Sequence, residues 1–235
     1  MKLLHKFMVA TLAVSLLAGC SSEPKKEGPP SDKDFILNVS KGLEARWELA
    51  DNENTDSYSS AELQKAYTKF LKAETDAVGK ESKYKFKDKD LKKVADTYYK
   101  GLKLQEEGIQ YAGTDDYTNQ EKTWELGYNY RALAIHEFEK DYGLTVNSKY
   151  KSDLDDFLSQ YSVAKKEVAI QEFVDNLQES IQYTKDESQS DEYTTYYSAI
   201  IENTTEYTID SLSIQLDFLD GSGVILYQGD DYVSN

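Results

Sequence analysis

Cysteine, histidine and proline are all scarce in this sequence. Its 235 residues include one cysteine, two histidines and three prolines. With Cys20 as the only thiol, an internal disulfide and any zinc site built on several cysteines are excluded. All three prolines fall within residues 21–33, amid charged residues without apolar periodicity, and this composition predicts a semi-extended spacer.

Positive charge is also in short supply. The chain carries 27 basic and 43 acidic side chains, for a formal net charge of −16. Phosphate backbones repel such a chain, so nucleic acid is not expected as a partner. The same charge favours solubility.

The first twenty residues have the pattern of an export signal. Two lysines within the first six residues precede an apolar run over residues 7–17, and small residues follow it. This run is about eleven residues long, whereas a permanent membrane span needs roughly 20. The segment therefore indicates a cleaved signal rather than a transmembrane helix.

The end of this segment, Leu17-Ala18-Gly19-Cys20, resembles the lipobox of bacterial lipoproteins. The resemblance implies diacylglyceryl transfer to the Cys20 sulfur, cleavage between Gly19 and Cys20, and a lipid-anchored position on the outer face of the cell membrane. The alternative is an ordinary secretory signal with a chance cysteine. Once residues 1–19 are removed, 25 basic and 43 acidic side chains remain, a net charge of −18.

Four regions are predicted along the chain: a signal peptide over 1–19, the lipidated cysteine with a flexible tether over 20–33, a helical domain over 34–184 and a β domain over 192–235. Fully stretched, the thirteen tether residues after Cys20 reach at most ~45 Å from the membrane. The helical domain shows apolar residues at three- and four-residue spacing, which predicts an antiparallel bundle. Its five segments run from Phe35 to Trp47, Leu63 to Val78, Leu91 to Ile109, Trp124 to Phe138 and Leu154 to Ile181, with a bend or a change of packing partner expected near Lys165-Lys166.

Beyond a polar stretch over 185–192, the periodicity changes to that of strands. Leu212, Ile214, Leu216 and Phe218 alternate with polar residues, the pattern of a half-buried strand. Further strands are expected over 193–201 and 224–227, with turns at 203–205 and 220–223. The predicted fold class is therefore α+β, a helical bundle followed by a short antiparallel β domain that ends at Asn235 after about three strands.

Residues 196–205 and 212–226 resemble the FxLYD domain found in surface lipoproteins of Gram-positive bacteria. The likeness rests on a strand, an Asn-Thr turn and an alternating strand that ends at Phe218-Leu219-Asp220-Gly221. The Tyr of the motif is missing here and the spacing is compressed. The resemblance covers about 40 residues and implies an incomplete Ig-like sandwich with an interaction or spacer role.

One segment has a positive net charge although the chain as a whole is negative. Seven lysines and only three acidic residues lie between Lys80 and Lys93. Near a membrane, a basic patch of this kind is suited to anionic lipid or teichoic acid, and the alternative is a solvated loop and helix start. The candidate patch comprises Lys83, Lys85, Lys87, Lys89, Lys92 and Lys93.

No catalytic residue, metal site or cofactor is predicted. His136 begins a run like that of a metalloprotease helix but has no second histidine after it. Ser222, between two glycines, fits a hairpin turn better than a nucleophile elbow. A weak calcium site is an alternative for one group of acidic residues, Asp217, Asp220, Asp230 and Asp231. A second group fits a favourable acidic first turn of a helix: Asp153, Asp155 and Asp156.

Nineteen tyrosines, several outside the helical stripes, favour binding over catalysis, since tyrosine makes adaptable contacts with partners. The sequence therefore predicts a non-enzymatic, membrane-anchored interaction module that contacts an envelope protein or a cell-wall polymer. Two rivals stay open. One is an envelope glycan-acting enzyme with paired carboxylates, and the other is a capture lipoprotein associated with a transporter.

Overall fold

The computed structural model describes residues 29–111, 117–193 and 195–234. The signal, Cys20 and the tether up to residue 28 lie outside the described residues. The predicted α+β class is confirmed, with antiparallel strands following a helical body. The elements are α1 (Asp32–Asp51), α2 (Ser60–Val78), α3 (Lys89–Gln110), α4 (Tyr117–Tyr142), α5 (Lys151–Ser159), α6 (Tyr161–Ser180), β1 (Thr184–Asp186), β2 (Tyr196–Ser198), β3 (Ser211–Leu219) and β4 (Ile225–Ser234).

The helices begin and end where local chemistry satisfies the free backbone groups. At the start of α1, the Ser31 N–H donates to the Asp34 carboxylate at 2.7 Å, and α2 has the predicted capping box, in which the Ser59 N–H donates to Glu62 at 2.8 Å. These contacts pair donors that have no partner within the helix. Gly79, at a φ of 75°, ends α2 as expected.

Helix α2 runs antiparallel to α1, and α3 runs antiparallel to α2. The pair Gly42 and Val78 and the pair Arg46 and Glu74 join α1 to α2 in reversed order. Likewise, Gln64 donates to the Ile109 carbonyl at one end of α2, whereas Glu74 meets α3 further along the helix. The buried core of the described residues comprises, among others, Phe35, Val39, Leu43, Val78, Leu91, Tyr98, Ile135 and Phe138. These residues are the apolar stripes predicted from the periodicity.

Two glycines allow α3 and α4 to approach at backbone distance. A Cβ built on Gly101 would lie 2.7 Å from the Gly127 carbonyl oxygen, and one built on Gly127 would lie 2.7 Å from the Gly101 carbonyl oxygen. Real Cβ atoms do not sit that close to a backbone oxygen, so a larger residue at either position must push the helices apart. This approach positions Gln105 on α3 opposite Arg131 on α4.

The long fifth helix was predicted with its bend in the wrong place. The chain breaks at Gln160, between α5 and α6, and Lys165 and Lys166 are exposed positions within α6. The break lies where the Ser159 hydroxyl donates to the Asp156 carbonyl at 2.6 Å, a local bond that competes with the helical ladder. It lets Phe157 and Ala164 both reach the core although their stripes do not share one period.

The strands form two separate ribbons. β3 pairs with β4 around the predicted turn at 220–223, and β1 pairs with β2. The strand predicted over 193–201 is shorter than expected, and its partner β1 lies partly in the stretch 185–192 that was predicted to be a linker. Paired residues of β1 and β2 are separated by nine or more residues along the chain. Apolar periodicity describes only neighbouring residues, so it does not predict this pairing.

Neither ribbon contributes to the buried core. Among the described residues, no side chain after Phe173 is fully buried. Leu212, Ile214 and Leu216 lie on one face of β3 and are half-buried. One ion pair, between Lys165 Nζ and Glu206 Oε1 at 2.6 Å, links α6 to the chain before β3.

We expect Gly127→Ala to lower the stability of the protein by about 1–3 kcal/mol, the usual effect of overpacking. Alanine has the better helix propensity, so propensity alone would give the opposite sign. Chemical denaturation measures the change. Gly221→Ala is the control, since nothing lies within 4 Å of that Cβ. Equal stability of the two variants would contradict the close approach of α3 and α4.

Candidate functional site

The predicted lysine patch spans the connection between α2 and α3 and the first turn of α3, and Lys85 and Lys87 lie on the extended part of this connection. Tyr84 and Phe86 in this segment both pack against Phe35 of α1, with ring centroids 5.1 Å apart in each case. The Tyr84 hydroxyl also donates to the Val78 carbonyl at 2.5 Å. Because alternate residues of an extended chain point in opposite directions, this anchoring leaves Lys85 and Lys87 exposed.

The same segment is bonded to the start of the folded body. The Lys87 and Asp88 N–H groups donate to the two carboxylate oxygens of Asp32 at 3.0 and 3.1 Å. The Lys85 N–H donates to the Pro30 carbonyl oxygen at 3.4 Å. The lysine segment therefore lies beside the residues through which the predicted tether enters α1.

The six patch lysines divide into two groups. Lys92 pairs with Glu81 at 2.6 Å and with Asp96 at 2.5 Å, and Lys93 pairs with Asp90 at 2.8 Å. The Lys83 ammonium turns back to the Val78 carbonyl oxygen at 3.3 Å, a favourable position for a cation at a helix C-terminus. The remaining three are exposed and form no ion pair within the described part of the chain: Lys85, Lys87 and Lys89. We call these three the lysine strip.

The structure also contains a buried charged cluster that the sequence analysis missed. Its centre is the Glu74 carboxylate, which is fully buried and accepts from Arg131 Nη2 at 2.6 and 2.8 Å. Arg46 Nη1 donates to Glu74 Oε2 at 2.9 Å, and the Tyr98 hydroxyl donates to Oε1 at 2.6 Å. Gln105 Oε1 accepts from both arginines at 3.0 Å. One cluster thus joins α1, α2, α3 and α4.

A signal for this cluster was present in the composition. Arg46 and Arg131 are the only two arginines among the 27 basic residues. A guanidinium has several donors in a fixed plane and stays charged when buried, whereas a lysine readily loses its charge there. Use of arginine at only two positions therefore pointed to a shared buried partner, although not to Glu74 in particular.

Aromatic rings line the outer side of the cluster. The Arg46 Cζ lies 5.6 Å from the Trp124 ring centroid, and the Arg131 Cζ lies 5.2 Å from the Phe157 ring centroid. Cations over aromatic faces are attracted by the ring quadrupole, more strongly so when desolvated. Trp124 and Phe157 thereby connect the polar cluster to the surrounding apolar core.

The electrostatics of the cluster keep Glu74 ionised. Burial acts to raise the pKa of Glu74, but the charges of Arg131 and Arg46 outweigh it and hold the pKa below its ordinary value. Burial, together with the adjacent Glu74 charge, raises the pKa of Tyr98 well above its usual range. Tyr98 is therefore a neutral donor, and the cluster carries one negative and two positive charges.

This arrangement suits a structural role better than catalysis. Every cluster side chain except that of Arg46 is almost completely buried, and the larger cavities of the described residues are not lined by Glu74 or Arg131. An acid or base must reach a substrate proton at hydrogen-bond distance, and Glu74 is enclosed by its own protein donors. Two further donors, Gln105 Nε2 and Arg131 Nε, have no acceptor among the described residues.

The other candidate residues do not come together in one site. The His136 ring stacks on Tyr161 with centroids 3.7 Å apart. In the hairpin turn, the Ser222 hydroxyl and N–H both donate to Asp220, at 2.6 and 2.8 Å. Asp155 pairs with Lys151 at 2.9 Å. Within the described ranges, no three side chains of histidine, cysteine or acidic type group as metal ligands would.

Among the larger cavities of the described residues, a surface groove of about 920 Å³ between α2 and α3 has the greatest volume. Three carboxylates line it, those of Asp76, Glu81 and Glu106. Asp76 pairs with Lys72 at 2.6 Å and Glu81 pairs with Lys92 at 2.6 Å. A glycosidase needs two carboxyl groups that both reach the sugar, whereas two of these three are held by lysine ammonium groups.

Exposed apolar side chains concentrate in the ribbons. Eleven of the fourteen large apolar or aromatic side chains that are exposed in the described residues follow Ile181. Six of them flank the β3–β4 turn: Phe218, Leu219, Val224, Ile225, Leu226 and Tyr227. We call these six the hairpin surface. Of the tyrosines noted in the sequence, Tyr193 and Tyr196 are exposed, whereas Tyr99 is half-buried and donates to the Gly79 carbonyl at 3.0 Å.

Comparisons with protein-family models, curated proteins and solved structures find no match for this chain. Within the part of the chain that the structure describes, no helix combines the length and apolar character that a membrane crossing needs. The function is therefore inferred from the residues and their geometry.

We expect Glu74→Gln to destabilise the protein by about 3–5 kcal/mol at neutral pH, because two buried arginines lose their counter-charge. The folded pKa of Glu74 is lowered, so its contribution is present above the unfolded value of about 4.3 and is lost as the pH falls through the folded pKa. Denaturant titrations from pH 7 to pH 3 should therefore show a smaller difference between variant and wild type in acid.

Asp76→Asn is the matched control for this prediction. It removes the charge of an exposed pair, Lys72 and Asp76, on the same helix, and exposed pairs contribute only about 0–1 kcal/mol. A Glu74→Gln protein as stable as Asp76→Asn at every pH would disprove the role assigned to the buried cluster.

Proposed function

We propose that this protein is a lipid-anchored, non-enzymatic binding protein on the outer face of a bacterial cell membrane. In this proposal, Cys20 carries the lipid, the helical body is the scaffold and the ribbons contact a partner protein of the envelope. The observation that carries the binding role is the concentration of exposed apolar side chains after Ile181. Exposed apolar groups gathered in one region indicate an interaction surface.

The anchor is supported by the linear sequence and by the start of the folded body. The lipobox-like Leu17-Ala18-Gly19-Cys20 precedes a polar, proline-containing segment, and α1 follows this segment after its Ser31 cap. A lipid anchor needs such a spacer to leave the folded body outside the headgroup region. The likeness of residues 196–226 to an FxLYD domain adds an interaction or spacer role for the ribbons.

The chemistry of the partner follows from charge. Residues 186–235 contain eleven acidic residues and no lysine or arginine, and the hairpin surface lies within them. Complementary charge at the rim of an interface guides association, while the apolar centre supplies most of the affinity. The partner that fits is a protein with an apolar contact area surrounded by basic side chains.

The rival functions receive less support. In the groove between α2 and α3, two of the three carboxylates are paired with lysines, whereas glycan hydrolysis needs two carboxyl groups that both reach the sugar. A transporter-associated capture lipoprotein would be expected to have two α/β lobes around a cleft, and the α+β architecture differs from that plan.

Replacement of Cys20 by serine tests the anchor, since it removes the only thiol that can take up diacylglycerol. We expect Cys20→Ser to lose labelling by radioactive fatty acid and to be released into the medium or to keep residues 1–19. Labelling followed by fractionation of membranes and medium measures both effects. Fatty acid on the variant at the wild-type level would exclude lipidation at Cys20.

Double substitution in the hairpin surface tests the binding role. Leu226 and Tyr227 are 70% and 66% exposed, so Leu226→Ser with Tyr227→Ser should fold normally. We expect the variant to recover about tenfold less of any protein that the wild type captures by cross-linking in its own envelope, as is usual when central apolar contacts are removed. Recovery should also fall with added salt, because the partner is basic.

The control replaces two exposed apolar residues of the helical body. Leu37 and Val163 are 51% and 52% exposed, and Leu37→Ser with Val163→Ser should leave recovery unchanged. Equal loss in both double variants, or in neither, would count against the hairpin surface as the binding site.

A further inference from the structure

We propose that the lysine strip, Lys85, Lys87 and Lys89, is the face that the folded body turns towards the membrane, where it binds the phosphate groups of anionic lipid headgroups. This inference rests on the proposed lipid anchor and adds to it an orientation and a ligand. In this orientation the acidic ribbons face away from the membrane.

Proximity to the anchor is the first argument. The strip segment is bonded to Pro30 and Asp32 through the N–H groups of Lys85, Lys87 and Asp88. Only nine residues lie between Cys20 and Pro30, and a chain segment of ten residues spans at most ~35 Å. The strip is thus held within reach of the bilayer by the chain itself.

Exposure and free charge are the second argument. Tyr84 and Phe86 occupy the inward positions of the segment and fix it to Phe35, so the strip lysines have a stable backbone yet point outward. Their ammonium groups form no ion pair with other described residues. Free ammonium groups on a rigid segment bind phosphate at a lower entropic cost than paired ones that must first separate.

The acidic residues near the strip do not cancel the positive charge of its lysines. The Asp32 carboxylate accepts two backbone N–H groups, Asp88 caps α3 by accepting from the N–H groups of Asp90 and Leu91, and Asp90 pairs with Lys93. Residues 80–93 keep seven lysines against three acids. Outside residues 80–93 the chain carries 20 basic and 40 acidic side chains, so an anionic surface repels the remainder of the chain as a whole and attracts this segment.

The test uses the full mature lipidated protein in vesicles. Its transfer to excess phosphatidylcholine vesicles is timed from donors of phosphatidylglycerol and from donors of phosphatidylcholine, at low salt. We expect the wild type to leave the anionic donors about tenfold or more slowly, because each lysine near an anionic surface adds to the attraction. The difference should vanish in about 0.5 M salt, where the Debye length falls below about 5 Å.

Two matched variants separate the strip from general charge. Lys85→Gln with Lys87→Gln and Lys89→Gln should transfer at one rate from both donors. The control, Lys72→Gln with Lys103→Gln and Lys151→Gln, makes the same charge change at positions that are 67%, 77% and 70% exposed, and it should keep the wild-type difference. A strip variant that still prefers anionic donors, or a control that loses the preference, overturns the proposal.

Two further outcomes identify the source of the phosphate and the state of the anchor. Soluble poly(glycerol phosphate) is added to the donors. If it abolishes the anionic preference at a phosphate concentration well below that of the lipid, a cell-wall polymer is the favoured ligand and the lipid proposal fails. If the wild type does not float even with phosphatidylcholine vesicles, the anchor itself is absent. If the wild type floats but shows no preference for anionic donors, lipid binding by the lysine strip is refuted and the lipid anchor is not.

Discussion

The packing of the helical body depends on one buried carboxylate. Glu74 has its charge balanced by Arg46 from α1 and Arg131 from α4, and Tyr98 from α3 donates to it as well. A slide or rotation of any of these helices would leave a charge buried without its partner, at a cost of several kcal/mol. Apolar stripes alone tolerate several registers, so the cluster selects one of them.

The chain uses its two kinds of cation for different tasks. Both arginines lie at the buried cluster, and all 25 lysines are available for the remainder of the protein. A guanidinium forms several directed bonds and stays charged when buried, whereas an ammonium is strongly hydrated and favours the surface. The lysines concentrated between Lys80 and Lys93 and the acidic residues after Lys185 then give the chain two segments of opposite charge.

Local patterns predicted the helices well and the connections between elements poorly. Caps such as Ser59 with Glu62 and stripes such as Phe35 to Trp47 indicated α1 to α4, because both depend on residues within one or two turns, although α4 begins at Tyr117, before its predicted segment. The break at Gln160 and the pairing of β1 with β2 were missed. Each depends on what a distant element requires, namely the fit of α5 and α6 to one core and the partner of Tyr196–Ser198.

The sequence by itself determined the lipobox-like end at Cys20, the charge balance, the helical periodicity and the α+β class, since all of these are properties of neighbouring residues. Only the tertiary structure decided that Arg46, Glu74 and Arg131, separated by 28 and 57 positions along the chain, meet in one cluster. It likewise decided that Lys85 and Lys87 lie beside Pro30 and Asp32. Such meetings arise because packing of whole helices, rather than local preference, brings distant side chains within bonding distance.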